Sequence, residues 1–331
     1  MTSAKHPPQE IRKDARELEQ HCYKSALSKS SYEAQCLSIV QNLHDQAVVG
    51  QDENVDDDGD ISDEGNIDPS SSSAATTIGR YTNARHYADG MFSFVYRARG
   101  PAESEGEVRG PGKLVALKVT TPSLMVKPHD SEREARILAS CHHPQIIELH
   151  ETFWQAGGRF VLVFPFMHYD FASLLRNGRL TSRQIRSHFQ DLFSALSYLH
   201  EADIIHRDVK PSNILLKSPS GPAYLADFGI AWSPHDKASE KAEDKITDVG
   251  TTCYRPPELL FGNTSYGCSL DLWAAGCVVA EALSSPHKSL FDAGDAGSEL
   301  ALIRSIFSTL GTPNVESWPV SLISNVMKRQ H

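Results

Sequence analysis

His206-Arg207-Asp208-Val209-Lys210-Pro211-Ser212-Asn213, followed nineteen residues after Asp208 by Asp227-Phe228-Gly229, decides how this chain is read. Apolar runs frame both polar loops. Ile204-Ile205 precedes the first, Ile214-Leu215-Leu216 follows it, and Ala223-Tyr224-Leu225 leads into the second. Two acids, an Asn and a Lys set in short loops are the groups that phosphoryl transfer to a hydroxyl requires. One carboxylate, Asp208, orients the hydroxyl and accepts its proton, and another, Asp227, holds the Mg²⁺ that bridges the phosphates. Asn213 completes a second metal site and Lys210 steadies the transferring group. A His-Arg-Asp tripeptide alone says little. The two motifs in this order and at this spacing are specific.

The remaining composition bounds the answer. The 331 residues leave room for a large core, and 40% hydrophobic with 22% charged residues are proportions of a soluble globular chain. The formal net charge of −10 is concentrated in residues 51–68, which hold nine acids and no Lys or Arg. The rest is nearly neutral and carries no nucleic-acid footprint. The six cysteines contain no C-x-x-C pair, so neither a zinc site nor a disulfide framework is indicated. No apolar leader opens the chain, and the longest apolar run, Trp273 to Ala280, is too short to span a bilayer. No membrane partner is expected.

Residues 1–50 read as a polar arm, with a weak amphipathic pattern from Gln9 to Leu27. Residues 51–79, acidic and then Ser-rich, cannot bury enough apolar surface to order themselves and read as a disordered linker. Ser62-Asp63-Glu64 gives an acidic context for phosphorylation, and an EF-hand reading from Asn54 fails because Gly65 stands where a bidentate Glu is needed. A β-rich stretch follows. Tyr81 to Tyr87 and Phe92 to Ala98 flank a turn at Ala88 to Met91, and Lys113 to Thr120 is a strand carrying Lys118 inside an apolar run. Asp130 caps a short helix that carries Glu134, with Ala135, Ile137 and Leu138 inward, and His143-Pro144 ends it. Ile146 to Phe153 and Phe160 to Phe166 are strands joined through Gly157-Gly158. The chain then becomes helical. Thr181 and Gln184 form a capping box ahead of a stripe of Ile185, Phe189, Leu192, Phe193, Leu196 and Leu199 that reads as core. Polar Ser233 to Asp248 reads as a mobile surface loop, Leu270 to Leu283 as a helix buried on all sides, and Glu299 to Leu310 as an amphipathic helix. Strands followed by helices argue an α+β chain in two lobes.

From Tyr81 onward the order of motifs resembles the eukaryotic protein kinases, which implies a bilobal fold over residues 80–331, with a small lobe at 80–167 and a partial large lobe from 168. Val115-Ala116-Leu117-Lys118 resembles the family's Lys-bearing strand, and Glu134 sits where the helix Glu would pair with it. Pro256-Pro257-Glu258 stands for Ala-Pro-Glu, and Asp271-x-Trp273-x-x-Gly276 opens the buried helix. Lys210 resembles the Ser/Thr kinases. Leu162 to His168, Cys253-Tyr254-Arg255 and Ile306 to Pro313 with Trp318-Pro319 are similar to the cyclin-dependent kinases. The resemblance implies ATP and Mg²⁺ as cofactors, with Ala88, Gly90, Val95, Ala116, Lys118, Glu134, Phe164 (gatekeeper) and Met167 (hinge) around the nucleotide. Asp227 and Asn213 would take the metal, and Thr251 would bridge Asp208 and Lys210. It also implies a protein substrate, met after the phosphoacceptor by Gly250 and Arg255, and a nuclear or cytoplasmic location.

The departures are specific. One Gly of three remains in the Gly-rich loop, at Gly90, with Ala88 and Ser93 in the other places. Glu132 replaces the apolar residue of the cyclin-binding motif, and burying an unpaired carboxylate costs several kcal/mol, which argues against a conventional cyclin contact. Of the family's three arginines for an activation-loop phosphothreonine, Arg133 and Arg207 are kept and Trp232 replaces the third. Thr247 is the candidate phosphosite, one residue off register, and activating phosphorylation is expected to be dispensable. These features are closest in character to the fungal single-subunit CDK-activating kinases, whose substrate is the activation loop of a cell-cycle kinase. The chain ends at His331, short of the family's last helices, so a C-terminal truncation is expected, leaving Glu258 without its Arg partner and an apolar face open around Leu270 to Leu283. An active Ser/Thr kinase is the reading carried forward. The alternative, a pseudokinase, scaffold or inactive fragment that acts by binding partners, would ordinarily lack one of Lys118, Asp208 or Asp227, and all three are present.

Overall fold

The computed structural model describes residues 76–101, 112–294 and 297–313. The polar arm, the linker up to 75 and Trp318-Pro319 lie outside the described residues. Alternating apolar residues build a six-stranded antiparallel sheet: β1 (Thr76–Ile78), β2 (Tyr81–Gly90), β3 (Ser93–Arg99), β4 (Leu114–Thr120), β5 (Glu151–Gln155) and β6 (Arg159–Pro165), in the order β1-β2-β3-β4-β6-β5. Val161 and Val163 pack on one face with Leu117 and Val119, while Phe160 and Leu162 pack on the other against Ala135. Both faces of β6 are therefore buried, which explains its unbroken apolar run. The same period of two in β4 places Lys118 opposite Leu117, on the face covered by helix α1 (Ser131–Ser140). The Asp130 carboxylate accepts from the Arg133 backbone N–H at 2.8 Å and starts that helix.

The large lobe consists of α2 (Phe171–Arg176), α3 (Ser182–Glu201), α4 (Pro257–Leu260), α5 (Ser269–Leu283) and α6 (Glu299–Leu310), with a small sheet β7 (Tyr169–Asp170), β8 (Ile214–Leu216) and β9 (Ala223–Leu225). Thr181 and Gln184 form the expected capping box at the start of α3. The main core joins Leu174, Leu196 and Leu199 to Phe228, Ala275 and Val278. The α+β bilobal architecture is thus as the sequence implied.

Five expectations need correction. Thr76–Ile78, assigned to the linker by its composition, is a strand, because Ile78 finds a buried place against the sheet beside Tyr81. The turn after β2 is Met91-Phe92, since pairing continues through Gly90 and Ser93. Ile146 to His150 is not part of β5. Ile147 instead donates its N–H to the Leu225 carbonyl at 2.9 Å, tying the small lobe to β9. Phe193, read as core, is 42% exposed, and on α5 Leu272 is 50% exposed where burial on all sides was expected. An apolar run on a helix fixes which residues share a face, and neighbouring elements decide which face is covered.

Leu196→Ala is expected to cost about 2–5 kcal/mol, against under about 1 kcal/mol for Phe193→Ala. Urea unfolding of the two variants checks this, and equal losses would refute the assignment of the buried face.

Candidate active site

Helix α5 anchors the site. Asp271, fully buried in its first turn, accepts the backbone N–H groups of His206 and Arg207 at 2.9 Å each, and His200 Nε2 lies 2.9 Å away. Two backbone amides aimed at one carboxylate fix the loop that begins at His206. Arg207 has φ +71°, a left-handed conformation that a bulky residue adopts only when its surroundings impose it. The Asp208 N–H donates to His206 Nδ1 at 3.3 Å, so the proton of that imidazole sits on Nε2, 3.0 Å from the Ala226 carbonyl it donates to. The ring stands edge-on to Phe228, centroids 4.8 Å apart. The two polar loops are thereby joined.

Every sequence-predicted catalytic residue meets in this loop. Asp208 Oδ1 accepts from the Thr251 N–H at 3.0 Å and its hydroxyl at 2.9 Å. Asp208 Oδ2 lies 2.9 Å from Lys210 Nζ and 3.1 Å from Asn213 Nδ2. Lys210 also donates to Thr251 Oγ1 at 2.9 Å, so Thr251 contacts both Asp208 and Lys210. Across the cleft, Lys118 Nζ donates to both Glu134 oxygens at 2.7 and 2.8 Å and to Asp227 Oδ1 at 2.8 Å. Burial works against the Lys118 charge, yet Asp227 and Glu134 outweigh it and hold the ammonium pKa above that of an ordinary lysine. Lys118 in turn holds the Asp227 carboxyl well below the usual carboxylate range, and burial raises that of Glu134.

Two adjoining cavities flank these charges. One, about 490 Å³, is lined by Ala88, Val95, Ala116, Phe164, Met167 and Leu215, an apolar slot of the size and flatness a purine needs. The other, about 610 Å³, is lined by Gly90, Lys118, Asp208, Lys210, Asp227, Gly250 and Arg255. At the Gly-rich turn, a Cβ on Gly90 would stand 2.6 Å from Ser93 Oγ, so the surviving glycine makes room for the serine in the third glycine's place. Gly250 has φ +76°, and a Cβ there would meet the Arg207 carbonyl at 2.6 Å. Arg255 Nε donates to the Gly250 carbonyl at 2.9 Å. As donors, the Asp227 carboxylate and the Asn213 amide oxygen suit a hard divalent cation. Among the described residues no three His, Cys, Asp or Glu are grouped to hold a metal alone, so such an ion would draw further oxygens from a bound phosphate.

The remaining predicted residues are placed otherwise. Arg133 and Arg207 are both buried, but their acidic neighbour is Glu240, whose oxygens each lie 3.2 Å from an Arg207 nitrogen. Thr247 is partly buried and its carbonyl accepts from the Val249 N–H. Ser233 to Asp248, expected as a mobile surface loop, is exposed at residues 241–244 but tied down on either side: Asp236 pairs with Arg136 of α1 at 2.7 Å, and Lys245 is buried 4.6 Å from the Trp232 ring. Sequence reading missed Glu240, Asp236 and Lys245 because a run of charges looks solvated until its partners arrive from elsewhere. The only local signal was the aromatic Trp232 where an arginine was expected. Glu258 meets Ser269 Oγ at 3.4 Å.

Comparison with known proteins agrees with this geometry. The model of the protein kinase domain matches residues 86–328. Serine/threonine-protein kinase csk1 of Schizosaccharomyces pombe is 37% identical over 242 residues, covering 72% of this chain and 75% of that protein. Cyclin-dependent kinase 7 of Xenopus laevis is 35% identical over 249 residues, 72% of this chain and 65% of that protein. A solved structure of the yeast RNA Pol II CTD kinase CTDK-1 complex superposes with a TM-score of 0.59 at 30% identity, covering 74% of this chain and 73% of that one.

Because its folded pKa is depressed below 3.8, Asp227 contributes stability above that pH and loses it as pH falls through the lower folded value. Asp227→Asn is therefore expected to flatten the acid limb of the stability curve, read by urea unfolding between about pH 2 and 6. An unchanged limb would mean that Lys118 is not its partner in solution. Gly250→Ala is expected to destabilise by about 1–3 kcal/mol or more, because the positive φ and the Arg207 carbonyl both oppose a side chain; a melt within experimental error of the parent would contradict that.

Proposed function

Given that the chain belongs to the protein kinase family, in its serine/threonine, cyclin-dependent kinase-type branch, we propose that it transfers the γ-phosphoryl group of ATP to a hydroxyl of a protein substrate. The observation that carries this is the convergence of Lys118, Glu134, Asp227, Asp208, Lys210 and Asn213 on one cleft. In this reading Ala88, Val95, Ala116, Phe164 and Met167 enclose the adenine, and Gly90 gives the phosphates close access to the backbone. Lys118, oriented by Glu134, binds the α/β-phosphates. A divalent cation, Mg²⁺ in our reading, supplies neutralisation of phosphate charge when bound, and Asp227 with the Asn213 amide oxygen would hold it. Asp208, with one oxygen oriented by Thr251, accepts the proton of the attacking hydroxyl. Lys210 faces the transferring phosphoryl with its positive charge. Gly250 and Arg255 form the wall behind the phosphoacceptor.

We further propose that the substrate is the activation segment of another cyclin-dependent kinase, and that a conventional cyclin is not needed. Support comes from how α1 is held. Glu132 is exposed, Ser131 exchanges a buried 2.8 Å hydrogen bond with Thr120, and Arg136 is tied to Asp236. The contacts a partner would make to draw this helix inward are thus made within the chain. Nuclear or cytoplasmic residence follows from the resemblance alone.

Asp208→Asn is expected to lower kcat by about 10²–10⁴ while leaving the upward thermal shift with Mg-ATP intact. Phosphate incorporation into a purified, cyclin-free cell-cycle kinase is the measurement. Undiminished transfer by the variant would remove Asp208 from the chemistry, and a wild-type chain that modifies generic peptides but not that kinase would remove the substrate assignment.

A further inference from the structure

A carboxylate far from the catalytic loop in sequence meets the residue that precedes Asp208. Arg207 directly precedes Asp208, is fully buried, and ends in a two-point ion pair with Glu240, both contacts at 3.2 Å. Removing one partner of a buried pair leaves the other charge uncompensated, a heavy cost. Arg133 of α1 is buried alongside. Burial pushes its pKa down, and Glu240 is the principal charge that opposes this. The Arg133 guanidinium itself donates to the Pro128 carbonyl, so the direct contacts of Glu240 are those with Arg207.

Glu240 is itself held. Trp232 Nε1 donates to the Glu240 carbonyl at 2.9 Å, which turns the replaced arginine position into a backbone clamp. Lys245 closes the other side, donating to the Ala242 and Tyr266 carbonyls at 2.5 and 2.9 Å over the Trp232 and Tyr266 rings. The Glu240 side chain keeps 9% of its surface accessible, and its carboxylate carries its charge without any phosphate to add or remove. The Arg207 carbonyl fills the place of a Cβ on Gly250, whose own carbonyl accepts from Arg255 Nε.

We propose that Glu240 is a permanent, genetically encoded replacement for an activating phosphate: a positioning residue that holds Arg207, and through it Asp208, without modification of the activation segment. The proposal rests on the kinase reading above for its activity consequence, and on geometry alone for the ordering of the loop. The test uses the full chain, phosphatase-treated and untreated, with Glu240→Gln, Glu240→Asp and Trp232→Phe. Three readouts are taken: kcat and KM for ATP, hydrogen exchange of residues 204–213, and the thermal melt. Phosphatase treatment is expected to leave wild-type kcat within about twofold, and Glu240→Gln to lower kcat by about tenfold or more with the ATP KM little changed. Glu240→Asp should recover part of the loss, and Glu240→Gln should speed exchange in 204–213 relative to the rest of the chain. Trp232→Phe, which keeps an aromatic ring near Lys245 but loses the N–H donor and part of the indole's volume, should show the same pattern more weakly and serves if Glu240→Gln fails to melt cooperatively. A tenfold fall on phosphatase treatment, or variants with wild-type kcat and exchange, would overturn the proposal. If no variant, wild type included, transfers phosphate, the kinase reading fails, and the exchange of 204–213 still decides whether Glu240 orders the loop.

Discussion

A buried carboxylate on α5 is the constraint on which the site depends. Asp271 has no exposed surface, and it spends its oxygens on the backbone of His206 and Arg207. Those two amides cannot turn elsewhere without orphaning a buried charge. Arg207 accepts a left-handed backbone as a result, and the next residue, Asp208, is presented to the cleft with the geometry that Thr251, Lys210 and Asn213 then complete. A single helix start in the main core thereby sets the position of the reacting group.

A second set of charges couples the lobes. Lys118 stands on a strand of the small lobe, Glu134 on α1, and Asp227 on the loop after β9, and one ammonium meets both carboxylates within 2.8 Å. The buried ammonium relies on both carboxylates, so displacing α1 or the Asp227 loop leaves the Lys118 charge less compensated. The His206–Phe228 contact adds a packed, apolar link between the two loops. Competence for phosphoryl transfer is in this sense one cooperative arrangement.

The activation segment is where this chain differs most from what its composition suggests. Between Trp232 and Lys245 three charges find partners: Asp236 with Arg136, Glu240 with Arg207, and Lys245 with two carbonyls and two rings. These contacts tie the segment to α1 and to the catalytic loop at once. The Asp236 and Glu240 contacts are pairs of opposite sign drawn from distant places in the sequence, partly shielded from water, where they are stronger than their exposed counterparts.

The sequence by itself determined the motifs and the elements that carry them. Short-range chemistry was enough for the capping box at Thr181, the Asp130 cap, the Lys118 strand face and the His-Arg-Asp to Asp-Phe-Gly spacing, because each depends on residues a few positions apart. Tertiary structure decided the rest. Phe193 shares a stripe with Leu192 and Leu196 yet remains exposed, since burial depends on which helix arrives beside it. Ile147 leaves the sheet for β9, and Thr76–Ile78 joins the sheet, because a strand needs an edge to pair with and composition does not say where the edge is. Glu240, inside a stretch read as a surface loop, is the partner of Arg207 from 33 residues away. Charge is legible in a sequence, whereas the desolvation that gives a charge its consequence exists only once the chain has folded around it.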